Sequence, residues 1–192
     1  RTLLTLDYEV FFGPAAGTVA RCMLEPTEAL RAIARRHGAK LVFFVDAGFL
    51  GKLAQEGAKA PALAADLAAI RRQLDGLVAE GHEIQLHVHP HWETSRWTAR
   101  GWEGDTTHFT LQSFTAAAIR DIVLRYAKAL RDIAGADAAF AYRAGGWVIQ
   151  PFAPIRGALL EAGVTIDSTV FAGGKRAGAV QPFDFRGAPA KS

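Results

Sequence analysis

Short apolar runs rich in β-branched and aromatic residues alternate with helical patterns along almost the whole chain. That alternation is the strongest constraint on the fold. The runs are residues 2–7 (TLLTLD), 40–46 (KLVFFVD), 82–87 (HEIQLH), 139–142 and 164–167. Between them lie 27–37, with Thr27 as N-cap and Gly38 as stop, and 61–80, opened by Pro61 and closed by Gly81. Two more amphipathic stretches cover 113–133 and 154–162, each followed by a glycine. A β-α-β-α-β-α-β-α-β order predicts parallel strands joined by crossover helices. At 192 residues the chain fits a single domain over 1–192. Residues 88–110 break the rhythm as a long polar loop carrying Trp92, Trp97 and Trp102.

Composition removes several function classes. Cys22 is the single cysteine, so no intramolecular disulfide frames the chain. Basic and acidic residues number 22 and 19, and no basic run stands out, so nucleic acid is not expected as a partner. No apolar stretch approaches the roughly 18–20 residues of a membrane span, and no signal peptide is visible. A cytoplasmic location is the expectation.

Parallel α/β folds bind ligands at the carboxyl ends of their strands. Each predicted strand ends on or beside an ionisable residue: Asp7 and Glu9, Asp46, His87 with His89 and His91, Arg143, and Asp167. In extended chain Asp7 and Glu9 point the same way, and a cation beside them relieves their repulsion. Imidazoles are common ligands for Zn²⁺ and similar ions. A helical turn would pair His87 with His91, whereas extended backbone would align all three histidines; Pro90 favours extended backbone at His89. An arginine at position 143 beside an acid would hold that acid ionised and oriented.

These motifs together resemble the polysaccharide deacetylase, or NodB-homology, family (carbohydrate esterase family 4). Thr5-Leu6-Asp7-Tyr8-Glu9 resembles its acid motif in the spaced-acid form. Gly81-His82-Glu83-Ile84 followed by His87 and His91 resembles its histidine motif. Arg143-Ala144-Gly145-Gly146 falls where the family has Arg-x-Pro-Tyr, and Ala162-Gly163 through Asp167-Ser168-Thr169 resembles a further stretch, as does Phe43-Phe44-Val45.

The resemblance implies a distorted (β/α) barrel with fewer than eight parallel strands, incomplete at its C-terminus. It implies metal-dependent removal of an N-acyl group, acetyl or formyl, from an amino sugar of a polysaccharide or its precursor. It casts Asp7 as base, oriented by Arg143, and Glu9, His87 and His91 as ligands of one divalent ion, with Zn first and Co, Mn or Ni as alternatives. Gly146 N–H would serve as oxyanion donor. Trp92, Trp147 and Asp167 would contact the carbohydrate substrate. No histidine follows His108, so the family's terminal acid is replaced by His89, supplied beyond Ser192 or missing. A non-catalytic carbohydrate-binding relative and a His-x-His amidohydrolase or phosphoesterase are the competing readings.

Overall fold

The computed structural model describes residues 2–11, 17–178 and 181–188. The chain runs β1 (Leu4–Tyr8), α1 (Glu25–Arg36), β2 (Leu41–Asp46), α2 (Ala47–Gly57), α3 (Pro61–Ala79) and β3 (Glu83–Val88). A hairpin of β4 (Arg96–Thr98) and β5 (Gly101–Glu103) precedes α4 (Ala116–Ala134) and β6 (Ala141–Ala144). Then follow α5 (Ala153–Glu161), β7 (Ile166–Asp167) and a second hairpin, β8 (Lys175–Arg176) with β9 (Phe183–Asp184).

The main sheet has the order β1-β2-β3-β6-β7, with every pairing parallel. The predicted strands are therefore all present, in sequential order. The expected barrel is not: among the described residues β1 and β7 are the two edges of an open sheet. Closure would need those edges to pair, and β7 supplies only two residues.

Register sorts the side chains. Tyr8, Val45, Leu86 and Tyr142 align across the sheet and are buried. Tyr8 Oη donates to Gln73 of α3 at 2.9 Å, so this is the helix-covered face. Each large apolar side chain buried there contributes roughly 1.5–3 kcal/mol. Asp46, His87 and Arg143 align in the alternate register, as do Asp7 and Phe44, and they face the other way. One face is thus the core and the other carries the ionisable residues.

The sequence pattern predicts no helix between the second strand and Pro61, yet α2 starts directly after β2. Asp46 ends the strand and caps the helix, its Oδ1 accepting from Phe49 N at 3.3 Å. No loop residue separates the two elements. The 88–110 stretch is ordered by a 3-10 turn over Pro90–Glu93 and by the β4–β5 hairpin. α4 starts after Thr115, whose hydroxyl accepts from Ala118 N, two residues later than the expected Ser113.

Candidate metal centre

Glu9 follows β1, His87 lies in β3 and His89 continues that strand in extended conformation (φ −109°, ψ 94°). Residues two apart on extended chain share a face, which brings both imidazoles over Glu9. One ligand atom from each of Glu9, His87 and His89 lies within 4.8 Å of the others. Glu9 Oε2 is 3.3 Å from His87 Nε2 and 2.6 Å from His89 Nε2.

Hydrogen bonding decides which nitrogens can ligate. His87 Nδ1 is 2.9 Å from the Arg143 carbonyl oxygen. A carbonyl only accepts, so Nδ1 carries a proton and Nε2, which faces Glu9, is the nitrogen left to ligate. This is the outer hydrogen bond that orients a metal-binding histidine. His89 is buried, and neither of its ring nitrogens has a hydrogen bond of acceptable geometry. Its Nε2 nonetheless lies close to the Glu9 carboxylate, an arrangement suited to two ligands around one cation. Two imidazoles and a carboxylate are a donor set for Zn²⁺ or a similar divalent ion. Burial works against the Glu9 carboxylate, but His87 and His89 hold its pKa well below the usual range. Burial likewise disfavours charge on His89, yet Glu9 and Asp46 raise its pKa.

His91 lies outside this trio. Pro90 opens the 3-10 turn, which rotates His91 away from the strand's alternation. Its ring stacks on Phe109 (centroids 6.2 Å apart, 8° between planes) and lies beside Trp92. Burial and the nearby His89 push its pKa down to about 3. Among the described residues it is therefore His89, and not the expected His91, whose ring nitrogen lies with Glu9 and His87, and a ligating His89 would not be free to act as the expected proton donor.

Arg143 Nη1 donates to Asp7 Oδ1 at 2.5 Å, and Nη2 donates to Thr5 Oγ1 at 2.8 Å and Ser168 Oγ at 3.0 Å. Its guanidinium lies 4.0 Å from the Phe44 ring centroid. Arg143 is on β6 and Asp7 on β1, three strand spacings apart, or roughly 14 Å in a flat sheet. The direct bond shows the sheet curled toward this face. A planar guanidinium with this many partners fixes the orientation of the Asp7 carboxylate.

The aromatic residues divide. Trp92 is buried, with Nε1 donating to Asp46 Oδ2 at 2.6 Å, and packs on Phe49 and Trp102. Burial leaves it no face for a sugar, so it supports the hairpin and the Asp46 cap. Trp147 is 44% exposed and contacts Phe171 and Phe183. Gly146 and Trp147 both have φ of 60°, and for a bulky residue such backbone is strained. Asp167 lines a separate cavity of about 420 Å³ with Ile149, Gln150, Phe152 and Asp184. Its carboxylate accepts from Thr169, and burial raises its pKa.

Asp46 has no site role predicted from the sequence. It is fully buried beside the centre, burial raises its pKa, and the charges of His89 and His87 oppose that rise. Its signal was present: an acid at a strand end that leads straight into a helix.

No protein-family profile and no curated protein matches the chain. A comparison of folds finds the crystal structure of a polysaccharide deacetylase from Bacillus cereus, with 17% identity and a TM-score of 0.46 over 88% of this chain. The chain spans 59% of the length of that structure. No helix among the described residues is long and apolar enough to cross a membrane.

Proposed function

We propose that this chain is a metal-dependent hydrolase that removes an N-acyl group, acetyl or formyl, from an amino sugar of a polysaccharide or its precursor. One juxtaposition carries the reading. The Glu9–His87–His89 trio and the Asp7–Arg143 pair share one concave sheet face. The motif resemblance points to the same chemistry.

Glu9, His87 and His89 would hold a divalent ion, Zn²⁺ first, with Co²⁺, Mn²⁺ or Ni²⁺ as alternatives. Such an ion supplies Lewis acidity and lowers the pKa of water toward ~7. Asp7 takes the proton of the attacking water. Arg143 aims that carboxylate, and Thr5 and Ser168 fix Arg143 in turn. The Gly146 N–H is the oxyanion donor, presented by the left-handed turn at Gly146 and Trp147. Trp147 offers an exposed ring to the sugar.

The test measures bound metal and released acetate or formate. Substrates are N-acylated amino sugars presented as polymer, sugar nucleotide and lipid-linked forms. The reading expects one equivalent of metal and acyl release that Asp7→Asn lowers by about 10²–10⁴-fold. Wild-type-like release by Asp7→Asn, or none from any substrate by metal-loaded wild type, overturns it.

A further inference from the structure

Resting on the metal centre proposed above, we infer that Gly145 is a positioning residue: its missing Cβ lets His89, rather than His91, join Glu9 and His87. A Cβ at position 145 would lie 2.5 Å from His89 Nδ1, 2.6 Å from Cε1 and 2.8 Å from Cγ. Heavy atoms rest at about 3.5–4.0 Å, so the ring would have to retreat by about 1 Å. Metal coordination tolerates displacements of only about 0.2 Å.

The ring has little room to yield. His89 is buried, with His87, His91 and Phe109 at centroid distances of 4.7, 5.4 and 6.4 Å. The backbone is pinned as well. Ala144 N donates to Thr169 Oγ1 at 2.9 Å, and Val148 N donates to the Gly145 carbonyl at 3.3 Å.

Backbone conformation does not explain this glycine. Gly146 has φ of 60°, which itself favours glycine, but Gly145 is not among the residues with positive φ. Its backbone would accept other residues, and the space against His89 would not. Glycine at 145 and histidine at 89 thus form one device that selects the spacing of the two histidine ligands.

The experiment titrates metal-free protein with Zn²⁺ by calorimetry and follows the visible spectrum with Co²⁺. Wild type is expected to take one equivalent, His91→Ala to keep it and His89→Ala to lose it. Gly145→Ala is expected to bind 10–100-fold more weakly, with an altered Co²⁺ spectrum. The metal-free proteins are also melted. Gly145→Ala/His89→Ala is expected to recover the stability lost in Gly145→Ala, because the methyl enters the space left by the imidazole. Wild-type affinity and spectrum in Gly145→Ala, loss of binding in His91→Ala, or additive destabilisation in the double variant overturns the inference. If wild type itself takes no metal, the metal-centre reading fails, and the melting cycle alone decides whether Gly145 positions His89.

Discussion

The two ends of β3 carry the same residue types in opposite hydrogen-bonding roles. At its start, His82 Nδ1 accepts from Leu41 N at 3.0 Å, so the ring proton sits on Nε2, which faces Glu80 at 3.7 Å. Arg31 grips both Glu80 oxygens at 2.8 and 2.9 Å, lowering the Glu80 pKa. At its end, His87 Nδ1 donates to the Arg143 carbonyl and Nε2 faces Glu9. There the arginine is bonded to Asp7 instead. The first end matches donors to acceptors and is a structural clasp. The second gathers ring nitrogens and a carboxylate oxygen around one point, which is what a cation needs. Histidine, carboxylate and arginine do not distinguish the two; the direction of the backbone hydrogen bond at Nδ1 does.

Breaking the second end should have the largest effect. His87→Ala is expected to weaken metal binding by 100-fold or more, which is about 3 kcal/mol, and to abolish acyl release. His82→Ala should leave metal affinity intact. Calorimetry on both variants checks this, and equal losses would erase the contrast. Asp7→Asn should lower hydrolysis by about 10²–10⁴-fold with metal affinity retained, read from parallel rate and binding measurements. Ser168→Ala removes one of the bonds on Arg143, about 1 kcal/mol, and should slow hydrolysis about fivefold.

The smallest expected catalytic effect is none. His82→Asn keeps an acceptor for Leu41 N and should change only the response of stability to pH. Burial, then Lys40, lowers the His82 pKa in the fold. The unfolded chain therefore binds the proton more readily. The His82 contribution is complete above the unfolded pKa, near 6.5, and is lost as pH falls through the lowered folded value. Urea unfolding at pH 7.5 and 5 should show wild type losing more stability on acidification than His82→Asn does; equal losses would place His82 outside the clasp.

Much of this contrast is legible in the sequence. The strand-end rule placed Asp7, Glu9, His87 and Arg143 on one rim, because parallel crossovers leave every strand's carboxyl end on the same side. The choice between His89 and His91 rested on local backbone that spacing alone leaves open. Pro90 carried the clue, since it disfavours helix at His89 and then starts a turn of its own. Helix α2 was hidden because Asp46 serves as both strand end and cap. The β8–β9 hairpin was hidden because its packing of Phe183 and Phe185 with Phe171 involves residues distant in sequence and too short a run for periodicity to register.

The bond between Arg143 and Asp7 spans 136 positions of sequence. Glu9, His87 and His89 all precede β6 in the sequence, so they leave the ribosome before it. The partner that orients the base, and the carbonyl that orients His87, arrive only with β6. Contacts of such long sequence separation form slowly. The pairing of Asp7 with Arg143 is therefore expected late in folding, once β6 has joined the sheet.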